Sequence, residues 1–436
     1  QIIVSKTIKI NLMLLLYRCL TNFLFPLFVI FTYLRVIFKK EDKFRFKEKI
    51  FPSEFRANKN SINKLFWFHA ASIGEVLSIL PLIEKINLKN KNIDFLITTV
   101  TLSSANLLER KLKKYNNINH RFFPLDVNHL SEHFLNVWKP DLICFVDSEI
   151  WPNILFKIKE KNITLVLLNG RITKKTLKKW KNFPNFARRV FNNFDLCLAS
   201  SNESQNNLSQ LQVRNLNYVG NLKFSVKNKI ETLDVVNKKI LNNFKVWCAV
   251  STHEGEELFA LKTHLEIKKE YNKILTIIIP RHISRVSDIK KLSDKYNLQS
   301  QILNNEDKVN SNTEIVIVNS FGDVSKYFSY CKNIFVGKSL IKKLELVGGQ
   351  NPIEAAKIGC QIFHGPYIYN FKEVYELLKN YSISEVVNDE KEMSAKIIKN
   401  FKKPKDKNQE QINLLDTYGE KILEDTINEL SKLSQL

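Results

Sequence analysis

Short apolar runs alternate along the chain with longer stretches in which apolar residues recur every three or four positions. The runs predict strands at Leu65–Ala70, Asp94–Thr99, Leu142–Val146, Thr164–Leu168, Leu196–Ala199 and Asn217–Val219, with helical patterns between them. A polar, lysine-rich stretch from Lys227 to Asn243 interrupts this rhythm. It restarts with strands predicted at Lys245–Val250, Ile274–Ile279, Glu314–Val318, Asn333–Val336 and Gln361–Phe363. Alternation of this kind is the pattern of a parallel sheet joined by crossover helices. The two halves also open alike. Phe68-His-Ala-Ala-Ser72-Ile-Gly74-Glu75 and Cys248-Ala-Val-Ser251-Thr-His253-Glu-Gly-Glu256 each run strand, serine, Gly-Glu, helix. The expectation is an α/β chain of two Rossmann-like domains facing a cleft, over residues 41–226 and 227–395. An N-terminal extension occupies residues 1–40 and a helical tail residues 396–436.

The N-terminus departs from the pattern. No charge occurs from Cys19 to Leu34, and with Leu12 to Tyr17 the apolar region reaches membrane-spanning length, interrupted by Arg18 and Pro26. No small-residue cleavage site follows, so the segment reads as an anchor, either spanning the bilayer or lying in its interface. Arg35, Lys39 and Lys40 behind it predict a cytoplasmic placement of the bulk of the chain. The basic stretch Lys39 to Lys49 suits an anionic lipid surface. Met13 opens the apolar segment, so residues 1–12 read as upstream of the natural start.

At 436 residues the chain has room for two cores. Its net charge of +23 implies attraction to phosphates of nucleic acid, anionic lipid or a phosphorylated substrate, part of it being a Lys/Asn-rich composition. Six cysteines show no Cys-x-x-Cys spacing and sit mostly in apolar runs, which reads as reduced, buried thiols with neither a disulfide framework nor a zinc site.

Chemistry gathers where predicted strands end, the place at which open α/β sheets bind ligands. Glu75 falls in the first turn of a helix after a strand, where a carboxylate can take a proton from a substrate hydroxyl. Ser72-x-x-Glu75 is equally a capping box, worth roughly 0.5–2 kcal/mol with no chemistry. Asp147 and Glu149 follow the next apolar strand, open to reading as a metal pair, as mutually repelling acids or as a helix start at Pro152. Lys223 lies behind a turn at Gly220 and is positioned to reach an anion or to be merely exposed. Pro280, Arg281, His282 and Arg285 end a buried strand with three cations within five residues, a phosphate-binding pattern. Gly348-Gly349-Gln-Asn351-Pro352-Ile353-Glu354 allows close backbone approach before a helix start; neither a dinucleotide fingerprint nor a P-loop is present. Ser320-Phe321-Gly322-Asp323 is a turn after another strand.

In order, these segments resemble the lipid A Kdo transferases, glycosyltransferases of the two-Rossmann-domain (GT-B) type. The resemblance runs from about Met13 to Leu378. Besides the apolar N-terminal segment it rests on Ala-Ala-Ser72-Ile-Gly74-Glu75, Ser148-Glu-Ile-Trp-Pro-Asn153, Asn169-Gly-Arg171 and Gly220-Asn-Leu-Lys223. In the second half it rests on Ser251-Thr-His253-Glu-Gly-Glu256, Pro280-Arg281-His282 and Gly349-Gln-Asn351-Pro352-Ile353-Glu354. The family implies transfer of 3-deoxy-D-manno-octulosonate (Kdo) from CMP-Kdo to a lipid A precursor at the inner membrane, without metal or cofactor. Glu75 matches its general base; Glu149 and Lys223 match residues that stabilise the transition state. Pro280 with Arg281, Phe321 to Asp323, and Asn351 to Glu354 match segments that bind CMP. Ser72, Gly74, Arg171, Ser251, His253 and His282 fall in the matched motifs and are expected at the substrates. The chain departs from the family's usual pattern at Asp147, Asp323, Gln350 and Ala355. Two competing readings are a related transferase using another nucleotide sugar, and a basic, non-catalytic protein of membrane surfaces or nucleic acid.

Overall fold

The computed structural model describes residues 2–56, 62–227, 233–304, 307–320, 324–403 and 409–434. Two compact units are formed, residues 1–226 with 418–436, and residues 227–417. The first unit holds β1 (Lys64–His69), β2 (Ile93–Thr99), β3 (Ile118–Phe122), β4 (Leu142–Val146), β5 (Thr164–Gly170), β6 (Leu196–Ala199) and β7 (Leu216–Tyr218). The second holds β8 (Lys245–Thr252), β9 (Ile274–Pro280), β10 (Ser300–Leu303), β11 (Ile315–Val318), β12 (Asn333–Val336), β13 (Gln361–His364) and β14 (Ser384–Val386). All pairings are parallel, in the orders β3-β2-β1-β4-β5-β6-β7 and β10-β11-β9-β8-β12-β13-β14. Chain direction across the sheet reverses between β1 and β4 in the first unit and between β8 and β12 in the second, which opens a crevice at those strand ends. The inner strands are buried on both faces, as crossover helices require.

The first unit adds helices at both ends of the chain. α1 (Ile2–Ile37) contains the apolar segment and packs on the first core through Leu14 and Phe25. α2 (Ile73–Lys89) follows β1, with Ser72 as its N-cap. The last helix, Gln409–Ser431, does not remain a separate tail. From Tyr418 it belongs to the first unit, where Lys85 pairs with Glu420 and Glu424 at 3.2 and 3.1 Å. Gly220 (φ +99°) turns the chain against this helix, where a Cβ would come 2.8 Å from Ile422.

In the second unit, Glu256 fastens the crevice. Its fully buried carboxylate accepts four backbone N–H bonds, from His253 (2.9 Å), Lys338 (2.7 Å), Ser339 (2.8 Å) and Leu340 (3.0 Å). The loops after β8 and β12 are thereby pinned to one side chain. Glu256→Gln places an amide donor against donors, and hydrogen exchange at the β8 and β12 amides is expected to report a loss of roughly 3–5 kcal/mol.

Candidate active site

In the first unit the sequence-predicted acids meet because β1 and β4 are neighbours, with His69 opposite Phe145. Glu75 does form the capping box. Its carboxylate accepts from Ala71 N–H and Ser72 Oγ–H, both at 2.7 Å, while Ser72 Oγ accepts from Glu75 N–H at 3.4 Å. Yet this cap is also under electrostatic load. Burial, followed by the negative charge of Asp147, and also that of Glu149, pushes the Glu75 carboxyl up from 4.5 to about 7, against the two hydrogen bonds. Gly74 beside it has open space where a Cβ would stand.

Glu149 is treated oppositely. Burial works to raise it, but the hydrogen bond and charge of His69 and the bond from Trp151 outweigh burial and hold it below the usual carboxylate range. Trp151 Nε1–H donates at 2.8 Å, and His69 Nε2 lies 3.3 Å away. The fully buried His69 is set by the strand beside it. Trp67 Nε1–H donates to Thr98 Oγ1 at 2.8 Å, and that hydroxyl lies 3.0 Å from His69 Nδ1. The Thr98 carbonyl lies 3.2 Å from the same nitrogen, so β2 fixes the ring with Nε2 aimed at Glu149. Two neighbouring carboxylates pushed apart in this way are the usual mark of an acid–base pair.

Asp147 and Lys223 complete the group. Asp147 adopts a left-handed conformation (φ 55°), and its two oxygens accept from Asn169 Nδ2 and, at 2.9 Å, from Lys223 Nζ. Asn169 is itself left-handed, and its Oδ1 accepts from Leu222 N–H at 3.0 Å, which draws the Lys223 turn to the β4 end. Arg171 N–H donates to the Asp147 carbonyl at 3.0 Å. Both Asp147 oxygens are thus engaged by protein donors.

The second cluster lies wholly in the second unit, at the ends of β8, β9 and β12. Ser251 is left-handed (φ 56°) and its carbonyl faces His253 Nδ1 at 3.1 Å. Burial, with Lys338 and His282 nearby, lowers the His253 pKa. The His253 and His282 rings meet edge-on at 5.9 Å. Arg281 N–H bonds the Thr252 carbonyl at 3.1 Å, leaving the exposed guanidinium and His282 at the rim; Pro280 is buried. Arg285 departs from the three-cation expectation: Glu257 holds it bidentately at 3.1 and 3.2 Å. The Gly348-Gly349 pair also serves the chain itself. A Cβ on Gly348 would stand 2.2 Å from the Tyr367 carbonyl, and Gly349 N–H donates to the Lys338 carbonyl at 2.6 Å. That bond brings the following segment alongside β12. There Asn351 Oδ1 caps Ile353 N–H at 3.1 Å, Pro352 and Ile353 are buried, and Glu354 is exposed. Phe321, Gly322 and Asp323 lie outside the described residues.

Sequence reading missed His69 and Asn169 as working parts, and Lys338. His69 stands directly opposite Thr98, a relation visible only once β1 and β2 pair. Asn169 and Lys338 carry positive φ, for which a polar side chain in a strand-end turn is the faint available signal.

This architecture, two Rossmann-type units with polar residues gathered at their strand ends, is the two-Rossmann-domain (GT-B-like) class of α/β fold. The UDP-GlcNAc 2-epimerase from Neisseria meningitidis shares the fold, with TM-score 0.56 over 85% of this chain and 100% of its own at 15% identity. The family model described as 3-deoxy-D-manno-octulosonic-acid transferase (kdotransferase) matches residues 44–226. The 3-deoxy-D-manno-octulosonic acid transferase of Rickettsia bellii is 30% identical over 81% of this chain and 82% of its own length. That of Haemophilus influenzae is 26% identical over 72% and 73%. The chain belongs to the Kdo transferase family, and its activity is Kdo transfer in lipopolysaccharide synthesis.

Because Glu75 holds its proton more tightly folded than unfolded, ionising it costs stability. Below about pH 4.5 that cost is absent; it grows as pH rises and is complete above about 7, at roughly 3 kcal/mol. Glu75→Gln escapes it but loses one of two accepted bonds, about 1 kcal/mol. The variant is expected to be more stable than wild type by roughly 1–2 kcal/mol at about pH 8 and no more stable at about pH 4.5, measured by chemical unfolding.

Proposed function

We propose that the protein transfers Kdo from CMP-Kdo to a lipid A precursor by a single inverting displacement, without metal, with Glu75 as general base. The observation that carries this reading is a half-buried carboxylate at the adjacent ends of β1 and β4, crowded by Asp147 and Glu149 and pushed up to about 7. Its pKa matches the pH at which a cytoplasmic base must alternate between states.

In this reading, an acceptor hydroxyl gives its proton to Glu75 as its oxygen bonds to the anomeric carbon of Kdo. The bond from that carbon to the phosphate oxygen breaks, and CMP leaves with the electron pair. One attack on one face inverts the centre. Glu149, held ionised by His69 and Trp151, offsets the positive charge of the oxocarbenium-like transition state. Lys223, held by Asp147, adds a cation for the anionic substrates. Arg281, His282 and the Asn351–Glu354 segment take the CMP phosphate and ribose, with Ser251 and His253 beside them. Ser72, Gly74 and Arg171 face the acceptor. The acceptor, a phosphorylated glycolipid, suits a chain of net charge +23 with an apolar N-terminal helix, and we place the protein on the cytoplasmic face of the inner membrane, against anionic lipids.

Glu75→Gln should lower kcat at least about a hundredfold with CMP-Kdo and a tetra-acylated precursor, while Ser72→Ala, which removes the cap and one hydrogen bond to Glu75 but keeps the carboxylate, loses less than about tenfold. Equal losses in the two variants, or retained activity in Glu75→Gln, would assign the base elsewhere.

A further inference from the structure

The body of the first unit covers one face of α1 and leaves the opposite, apolar face exposed. Along the covered face, Tyr17 Oη–H donates to Asp126 Oδ2 at 2.9 Å, Arg18 pairs with Glu160 at 3.1 Å, and Thr21 Oγ1 accepts from Asn153 Nδ2 at 3.1 Å. Further on, Phe25 meets His129 edge-on at 5.3 Å and Tyr33 meets Phe46 at 4.9 Å. Arg35 closes the series on the buried Glu41 at 2.9 Å. From Leu14 to Arg35 the attachment runs about 30 Å of helix, the thickness of a bilayer's hydrocarbon core. The opposite face presents Leu16, Leu20, Phe23, Leu27, Phe31 and Leu34, at helical spacing and all exposed, with Phe23 at 81%.

We propose that α1 lies in the membrane interface with its long axis along the bilayer plane, the exposed face sunk into one leaflet and the covered face still holding the protein. This rests on the membrane attachment proposed above and goes beyond it by fixing the topology. A spanning helix would have to leave the body, surrendering every contact from Tyr17 to Arg35 and carrying Arg18 into hydrocarbon, where an unpaired arginine is strongly disfavoured. Lying flat keeps all of them. The occupant of the exposed face is an anionic lipid leaflet. The helix Pro184–Phe191, which packs on α1, and the preceding helix Lys174–Lys181 expose Lys178, Lys179, Lys181 and Arg188 around the exposed Phe183, the charge that such a leaflet attracts. The arrangement also ties the membrane to the chemistry. Asn153, which holds Thr21 and the Asp126 carbonyl, opens the helix immediately after the Glu149 loop. A lipid-borne acceptor would then reach the first-unit site from the leaflet itself.

Cys19 is the one exposed cysteine among the described residues, on the exposed side of α1, so a nitroxide attached there in the full-length protein reads depth directly. Matching labels are placed at Leu27→Cys and Leu34→Cys in a Cys19→Ser background and measured by oxygen and nickel accessibility in phosphatidylethanolamine–phosphatidylglycerol vesicles. The proposal predicts similar depths at all three sites, about 5–10 Å below the phosphates. Depths that pass from one interface through the bilayer centre over the roughly 22 Å between positions 19 and 34 would overturn the flat topology while leaving attachment intact. Failure of the labelled protein to bind the vesicles would overturn the attachment reading and the topology together.

Discussion

The first unit is organised around a crowding of negative charge that its topology makes unavoidable. β1 and β4 are adjacent, and each ends by delivering acidic side chains to the same crevice. Three carboxylates there cannot all be ionised cheaply. The surrounding residues decide which one yields. Lys223 and Asn169 secure Asp147, and His69 and Trp151 secure Glu149, so the burden falls on Glu75, which has only a hydroxyl and one backbone N–H. A carboxyl poised near neutrality is thus a property of the cluster, and the buried Trp67–Thr98–His69 chain behind Glu149 helps to set it.

The second unit shows how the same local pattern serves a different end. Glu256, like Glu75, follows a strand, a serine and a glycine and opens a helix. Its carboxylate faces four backbone N–H groups, and so it becomes a fastening. What distinguishes the two is the neighbouring strand end. Beside β1 that neighbour brings acids; beside β8, the β12 end brings a loop of N–H donors.

The strands legible in the sequence were those buried on both faces and, of the four sheet edges, only Leu216–Tyr218. Ile118–Phe122, Ser300–Leu303 and Ser384–Val386 were not, and all three are sheet edges, where half the side chains meet water and the apolar run dissolves into Asn, Arg, Gln and Glu. Glu75, Glu149 and Lys223 were legible as candidates from strand-end position, and the structure gathers them. Their hierarchy was not legible, because it depends on His69, Asn169 and Thr98, whose contacts arise from pairing between distant strands. Arg285 and the Gly348-Gly349 pair looked available for a ligand, and each is taken up by a partner elsewhere in the fold. The two faces of α1 blurred into one apolar run because the polar contacts of the covered face fall on a few residues, Tyr17, Arg18, Thr21 and Arg35, most of whose partners lie far along the chain.

The assignment of the base is tested most directly by the pH dependence of kcat/KM for Kdo transfer, in wild type and in Asp147→Asn. A free enzyme whose base is Glu75 under the load of Asp147 should show activity rising about tenfold per pH unit up to a midpoint near 7, and that midpoint should fall in Asp147→Asn as the negative charge is removed. A midpoint near the ordinary glutamate value of 4.5, or one near 7 that does not move in the variant, would contradict the assignment of the base to this crowded carboxylate.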